Sequence, residues 1–163
     1  MRSEFHETVA LTAEGPAVWE TVGDITKVLD WISIVGSAEE VEPGQRYTAV
    51  LQDRIGPFRL RADLDIAVTE REEGRRIRAH AEGEDRQIGS RLNIHVLLEL
   101  REEGAASVLD VSGSYEVTGR PAALGASSIR KKANTILAEF FTSAEHELVA
   151  SGSRPFGGGD AAA

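Results

Sequence analysis

The stretch that decides the fold is residues 117–141, which read VTGRPAALGASSIRKKANTILAEFF. Gly119 and Pro121 end an alternating strand, and the spacing of apolar residues after them predicts a helix of about 28 residues. The apolar face of this helix begins with small side chains and ends with bulky ones. Its members are Ala122, Ala126, Ile129, Ala133, Ile136, Leu137, Phe140, Ala144 and Leu148. Alanines at the start of a helix that covers a sheet are compatible with a cavity beneath it.

The rest of the chain is dominated by strands. Apolar residues alternate with a period of two over residues 34–42, 46–53, 58–70, 76–82, 89–101 and 106–117. A further strand at residues 5–11 opens the chain, and two short helices follow it. Because the breaks between the later strands are short, we expect them to pair in order as an antiparallel meander. The predicted fold class is α+β, a helix-grip fold in which a curved antiparallel sheet of about seven strands surrounds the long C-terminal helix.

Composition limits the classes of function. The chain has 163 residues, a formal charge of −9 and no cysteine. The charge argues against nucleic-acid binding and against tight electrostatic binding to an anionic membrane. The lack of cysteine excludes disulfides, thiolate metal sites and a cysteine nucleophile. We predict one ligand-binding domain over residues 1–150 and a flexible Gly/Ala-rich tail over residues 151–163. No apolar run has the length of a signal peptide or a membrane span, which favours the cytoplasm.

The concave face of the predicted sheet is rich in small residues, among them Ala79, Ala81 and Gly113. Such a face opposite a helix that begins with alanines leaves volume that a packed interior does not tolerate without cost. Two interpretations stay open, a ligand cavity or a core in which longer neighbours fill the gap. Alternate turns of a meander lie at one end of the sheet, so we predict the cavity mouth at the end where several glycines gather. These are Gly36, Gly56, Gly83, Gly89, Gly119 and Gly125, with Ile55 and Phe58 as an apolar lip.

The candidate ligand-binding residues are the side chains expected to face this cavity from the sheet and the helix. They are Ile34, Tyr47, Ala49, Leu51, Phe58, Leu60, Ala62, Leu64, Ile77, Ala79, Ala81, Ile94, Val96, Val111, Gly113, Tyr115, Ala126, Ile129, Ala133 and Leu137. Tyr47 and Tyr115 could donate a hydrogen bond to a ligand carbonyl while their rings pack against the ligand. The alternative is a tyrosine of the core whose hydroxyl bonds the backbone.

The sequence predicts no catalytic residue, no metal site and no cofactor. His80 and His95 fall on the outer face of the sheet by parity, and no metal, phosphate-loop or nucleophile motif is present. Glu7 and Glu70 share the inward parity, and Glu7 is expected near a sheet edge in contact with water. An apolar cavity with one or two hydroxyl groups and no titrating pair favours carriage over catalysis.

The chain resembles the CoxG family, the G-subunit family of carbon monoxide dehydrogenase, within the START and birch-pollen-allergen (SRPBCC) superfamily of helix-grip proteins. The resemblance covers about residues 4–148 and depends on the order and spacing of several short motifs. These are Val18-Trp19, Ser33-Ile34-Val35-Gly36 where the family usually shows Cys-Ile-Pro-Gly, Tyr47-Thr48-Ala49-Val50, Ile55-Gly56-Pro57-Phe58, the block from Gly119 to Gly125, and Phe140-Phe141.

The resemblance implies a protein encoded with molybdenum-containing hydroxylases such as carbon monoxide dehydrogenase. It implies an apolar cavity for a quinone or isoprenoid lipid, a molybdenum hydroxylase complex as partner, and transient contact with the inner face of the membrane. Ser33 and Val35 depart from the family pattern. A Gly/Ala tail stands where many members have a hydrophobic anchor, so the resemblance implies membrane anchoring only weakly for this chain. The alternatives are an enzyme of the cyclase or dehydratase type, acting through Glu7, Tyr47 or Tyr115, and an assembly factor whose cavity is incidental.

Overall fold

The computed structural model describes residues 1–55, 58–119 and 126–150. Gly56, Gly125 and Ala122, the side chains of Ile55, Phe58 and Ala126, and the predicted tail at 151–163 lie outside the described residues. The described part of the chain forms seven strands and three helices. In chain order they are β1 (Arg2–Leu11), α1 (Gly15–Val22), α2 (Ile25–Trp31), β2 (Val35–Glu42), β3 (Arg46–Ile55), β4 (Phe58–Glu72), β5 (Arg76–Asp85), β6 (Ser90–Glu103), β7 (Ala106–Thr118) and α3 (Ala126–Ala150).

The strands form one antiparallel sheet in the order β1-β7-β6-β5-β4-β3-β2. Strands β2 to β7 therefore pair in sequence order, and β1 joins the far edge beside β7. This topology confirms the predicted meander, the two short helices after the first strand and the helix-grip class. Strand β5 continues three residues beyond the predicted 76–82, to Asp85, whose carboxylate accepts the backbone N–H groups of Arg61 and Gln87 and closes the turn there.

A bulge in β4 corrects one sequence prediction. The register between β4 and β5 shifts between Val68 and Glu70, so the parity of the strand changes after Val68. Glu70 therefore lies on the outer face, where its carboxylate is 3.3 Å from Arg76 and 3.2 Å from Arg78. The expectation that Glu70 points inward was wrong because period-two counting assumes an unbroken ladder.

The short helices are positioned by local contacts. Helix α1 has a proline in its first turn, and α2 is capped by Asp24, whose carboxylate accepts the Lys27 N–H at 3.2 Å. The Trp19 indole N–H donates to Glu73 at 2.9 Å, and the Arg71 guanidinium lies 5.5 Å from the Trp19 ring centre. These contacts hold α1 against the turn between β4 and β5.

The two ends of the sheet differ. At the closed end, which includes the β4–β5 and β6–β7 turns, α1 packs against α3 and the neighbouring strands. Its core contains Leu11, Val18, Leu100, Leu109 and Ala144. The opposite end, which we call the cavity end, contains the last residues of β3, β5 and β7 and the first described turns of α3. No helix in the described ranges carries an apolar stretch long enough to cross a membrane.

Candidate ligand-binding cavity

A cavity of about 370 Å³ lies between the concave face of the sheet and the helices α2 and α3. This volume falls near the low end of the range of ~300–1,000 Å³ typical of small-molecule pockets. Strands β3 to β7 supply the floor through inward side chains, and α3 supplies the roof through Ile129, Ala133 and Leu137. The sequence left open whether this volume is a cavity or is filled by longer neighbouring side chains. The structure has a cavity, since those side chains do not fill the space.

Most of the sequence-predicted binding residues lie together on the wall of this cavity. They are Ile34, Leu51, Leu60, Leu64, Ile77, Ala79, Ala81, Ile94, Val96, Val111, Tyr115, Ile129, Ala133 and Leu137. Their contact with a ligand stays a prediction. Phe58 and Ala126, also predicted, have side chains outside the described part of the structure.

Two small residues predicted for the wall lie beneath it instead. Ala49 and Ala62 are buried in a cluster with Leu51, Leu60 and Leu64, whose longer side chains do reach the cavity. On its strand face Ala62 lies between Leu60 and Leu64, and Ala49 lies between Tyr47 and Leu51, so each alanine is shorter than both of its neighbours. The inward parity of Ala49 and Ala62 was therefore predicted correctly, but their exposure to the cavity was not.

Tyr47 and Gly113 also lie off the wall. Burial raises the pKa of Tyr47, and so does the nearby Glu40 carboxylate, which lies off the cavity wall. A Cβ atom at Gly113 would lie 1.9 Å from the His95 carbonyl oxygen and 2.7 Å from the Phe5 ring. Gly113 therefore permits close approach of Phe5, and it is Phe5 that lines the cavity at this position.

Sequence reasoning missed the contribution of α2. Ile25, Val28, Leu29 and Ile32 line the cavity from this helix. Their spacing of i, i+3, i+4 and i+7 is the pattern of one apolar helix face, so the signal was present in the sequence. The helix was predicted, but none of its residues was named as a candidate for ligand binding.

Two hydroxyl groups on the wall have no hydrogen-bond partner among the residues that the structure describes. They are Ser90 Oγ at the start of β6 and the Tyr115 hydroxyl on β7. Ser90 is 1% exposed and Tyr115 is 8% exposed. Ser90 was missed because a serine interrupts the apolar pattern that defines an inward face, although it shares the parity of Leu92 and Ile94.

Within the described ranges, only one ion pair has both of its side chains on the cavity wall. Lys132 Nζ of α3 lies 2.7 Å from Asp53 Oδ2 of β3, with side-chain exposures of 40% and 18%. The pair links the roof of the cavity to its floor at the cavity end. Because the two charges balance, they add no net charge to the wall.

Four exposed cations lie next to this ion pair along the chain or in the strand register, and we call them the cationic collar: Arg54, Arg59, Arg130 and Lys131. Arg54 follows Asp53 and is paired in register with Arg59, while Arg130 and Lys131 precede Lys132 on α3. None of the four has an ion-pair partner among the described side chains. A chain with a net charge of −9 therefore carries, near its cavity end, four exposed cations that form no ion pair within the described residues.

The other titratable groups considered from the sequence lie away from the cavity. Glu7 is exposed, and the His80 and His95 rings stack 4.3 Å apart on the outer face of the sheet. Within the described residues, no cluster of three or more histidines and carboxylates could hold a metal ion. The ionisable side chains on the described wall are Asp53, Lys132 and Tyr115.

Comparison with solved structures supports the same fold. A conserved protein from Geobacillus kaustophilus superposes with a TM-score of 0.80 at 22% identity, covering 91% of this chain and 97% of that one. A START superfamily protein from Mycobacterium smegmatis gives 0.70 at 14% identity, covering 91% and 98%. The protein Ara h 8.0201 gives 0.67 at 13% identity, covering 92% and 99%. At these identities the likeness concerns the fold alone. Comparison with curated protein sequences finds no significant match.

The family predicted from the sequence is confirmed by a family model. The model of CoxG, the G-subunit of carbon monoxide dehydrogenase, matches residues 8–149, which include all the strands from β2 to β7 and the three helices up to Val149. The chain therefore belongs to the carbon monoxide dehydrogenase CoxG family, on a START-like helix-grip fold.

Proposed function

We propose that this protein binds an apolar small molecule, a quinone or an isoprenoid lipid, in the cavity between the sheet and α3. In this proposal it acts without catalysis as the accessory protein of a molybdenum hydroxylase of the carbon monoxide dehydrogenase type. The observation that carries the proposal is the cavity itself, about 370 Å³ in volume and lined almost throughout by aliphatic and aromatic side chains. Its size suits a ring system with a short tail, so a long isoprenoid chain would extend beyond it.

The transfer energy of such a ligand favours exchange with a membrane over storage. Burial of one prenyl unit from water contributes about 3–4 kcal/mol, at ~0.8 kcal/mol per CH₂ group. A ligand that starts in a bilayer gains almost none of this, because it moves from one apolar medium to another. The protein would therefore pick up and release such a lipid readily, and delivery would depend on a partner enzyme.

The chemistry of the wall supports carriage over turnover. General acid–base catalysis needs a titrating group within reach of the substrate. Asp53 and Lys132 neutralise each other at 2.7 Å, and Glu7 and Tyr47, the other sequence candidates, lie off the described wall. A cyclase or dehydratase would have to act through Tyr115 or through one member of the ion pair.

Transient contact with an anionic membrane is supported by the cationic collar. Each lysine or arginine close to an anionic bilayer contributes about 1 kcal/mol to binding, and the effect fades within a Debye length. Four such cations beside the cavity could bring it to the lipid surface although the whole chain is acidic. Family membership supports the molybdenum hydroxylase as partner, and the acidic remainder of the surface is available for docking to it.

The test is to purify the protein from its own host and identify bound molecules by extraction and mass spectrometry. We expect a stoichiometric quinone or prenyl lipid in the wild type. Ala79→Phe places a ring in the cavity and should remove the ligand, whereas Ala138→Phe, on the exposed side of α3, should retain it. An empty wild-type protein that gains no thermal stability from added quinone would contradict the proposal.

The same pair of variants separates the alternatives. If the cavity is incidental to an assembly role, Ala79→Phe will leave the activity of the partner hydroxylase in cells unchanged. If the protein is an enzyme, the extracted ligand will be chemically altered on incubation, and Tyr115→Phe will stop the alteration.

A further inference from the structure

We propose that the unpaired hydroxyls of Ser90 and Tyr115 are the polar subsite of the cavity, and that each can bond a neutral oxygen atom of the ligand. The inference rests on the proposed function, since it concerns the chemistry of whatever the cavity binds. It assigns the ligand class more narrowly, as an apolar molecule with a carbonyl, ether or hydroxyl oxygen at one end. It also assigns the end of the cavity at which the ligand oxygen lies.

Ser90 is the first residue of β6 and faces the cavity from its floor. Its backbone is paired with Asp85, yet the Asp85 carboxylate does not bond its hydroxyl. Asp85 Oδ2 accepts the Arg61 N–H at 2.7 Å and Oδ1 accepts the Gln87 N–H at 2.9 Å, and neither oxygen bonds the serine. Within the described residues the serine hydroxyl therefore has no partner and faces the cavity.

Tyr115 lies two strand positions before Val117 on β7 and packs in a cluster with Val117 and Ile129. Its ring stacks on Phe5 with the centroids 6.4 Å apart, which fixes the ring plane. Its hydroxyl finds no partner in the described parts of the chain. A phenylalanine would pack in the same way without the hydroxyl.

Two other buried hydroxyls show that this is not the usual arrangement in the protein. Ser107 Oγ donates to the Ala13 carbonyl at 2.7 Å, and the Tyr47 hydroxyl lies beside the Glu40 carboxylate, which adds to the effect of burial in raising the pKa of Tyr47. Buried polar groups in native proteins are nearly always paired, and leaving one unpaired lowers stability. The two unpaired hydroxyls both belong to the cavity wall, which is where a ligand atom could pair them.

The charge of the wall determines which oxygen fits. Serine and tyrosine hydroxyls are neutral donors, and the Lys132 charge is already balanced by Asp53 at 2.7 Å. A buried carboxylate needs a compensating positive charge, which this wall does not offer within the described residues. The subsite therefore favours a neutral oxygen, as in a ring ketone, over the carboxylate of a fatty acid.

The position of Ser90 indicates where a ligand oxygen would lie. Ser90, Asp53 and Lys132 all belong to the cavity end, whereas the wall toward the closed end is formed by Val22, Leu98 and Phe140. A ligand oxygen bound by Ser90 would therefore lie at the cavity end.

The test compares two probes with the same carbon skeleton, menadione (2-methyl-1,4-naphthoquinone) and 2-methylnaphthalene. Dissociation constants are measured by tryptophan fluorescence or calorimetry for the wild type, Tyr115→Phe and Ser90→Ala. We expect each substitution to weaken menadione binding about 3- to 10-fold, the worth of one net hydrogen bond. Binding of 2-methylnaphthalene should change less than twofold, because the hydrocarbon has no oxygen atom that could accept a hydrogen bond from either hydroxyl.

Matched controls come from the satisfied hydroxyls. Tyr47→Phe and Ser107→Ala remove a hydroxyl from the same two residue types but off the wall, so both should bind menadione as the wild type does. Ser107→Ala should also unfold at a lower urea concentration, because the Ala13 carbonyl loses its hydrogen bond. Tyr115→Phe and Ser90→Ala should unfold at the wild-type concentration or above it.

The outcomes are distinguishable. Unchanged menadione affinity in both Tyr115→Phe and Ser90→Ala would overturn the subsite, while binding of 2-methylnaphthalene by the wild type would leave the apolar cavity as a binding site. If the wild type binds neither probe, the proposed function fails together with the subsite. Tighter binding of decanoate than of decanal by the wild type would also overturn the preference for a neutral oxygen.

Discussion

Alanine plays opposite roles at the closed end of this molecule and on the wall of its cavity. At the closed end, Ala144 of α3 is fully buried where α1 packs against α3, and Val18 and Leu109 beside it are also fully buried. On the cavity wall, Ala133 of α3 and Ala79 of β5 are half-buried and border open space. A small side chain thus permits close packing in one place and leaves a cavity in the other. The difference is whether another helix or strand packs directly against the alanine.

The largest test of this contrast truncates one leucine at each end. Leu109→Ala at the closed end should lower the free energy of unfolding by about 2–5 kcal/mol, because a new void forms in packed surroundings. Leu137→Ala on the cavity wall should cost about 2 kcal/mol or less, since its side chain already borders open space. Urea unfolding followed by circular dichroism measures both. Equal losses would mean that the cavity is as tightly packed as the closed end.

The second test enlarges one alanine at the closed end and one on the cavity wall. Ala144→Phe should lower the free energy of unfolding by about 1–3 kcal/mol or more, because the added ring forces α1 away from α3. Ala79→Phe should change it by less than about 1 kcal/mol, since the ring enters a cavity of about 370 Å³. A thermal or urea unfolding curve of each variant decides this. Strong destabilisation by Ala79→Phe would show that the strands cannot accommodate a ring there.

The smallest expected effect concerns charge at the two ends. Replacing Arg130 and Lys131 of the cationic collar by glutamine should weaken binding to phosphatidylglycerol vesicles, by roughly fivefold for each cation at ~1 kcal/mol. Replacing Arg75 and Arg101 at the closed end removes the same charge. These two already pair with Glu72 at 2.7 Å and Glu103 at 3.0 Å, so this control should change binding much less.

Vesicle sedimentation at low salt measures the difference between the two double variants. Phosphatidylcholine vesicles and high salt should abolish it, because both remove the electrostatic attraction. Equal weakening by the two double variants would show that net charge matters and that the collar does not.

Much of the fold was predictable because its signals are local. The period-two alternation from β3 to β7 located the strands within a few residues, and short breaks implied a meander, which the sheet order confirms. The bulge after Val68 was not predictable, because a register shift depends on how two strands pair and leaves no trace in the hydrophobic pattern.

The candidate site was predictable in part, for a related reason. Parity identifies which face a strand residue belongs to, so Leu60, Leu64 and Ala79 were placed on the inner face correctly. Parity does not tell how far a side chain extends past its neighbours, so Ala49 and Ala62 were assigned to a wall that longer leucines form. Ser90 was passed over because polarity was taken as a sign of exposure.

By itself, the sequence determined the class of fold, the inner face of the sheet and the family, since these depend on periodicity and on the order of short motifs. Only the tertiary structure decided that the volume under α3 remains open, that Lys132 meets Asp53, and that Ser90 and Tyr115 keep unpaired hydroxyls on the same wall. The physical reason is that a cavity and a hydrogen bond depend on atoms from several elements. Their absence or presence follows from distances between those elements, which no single stretch of chain encodes.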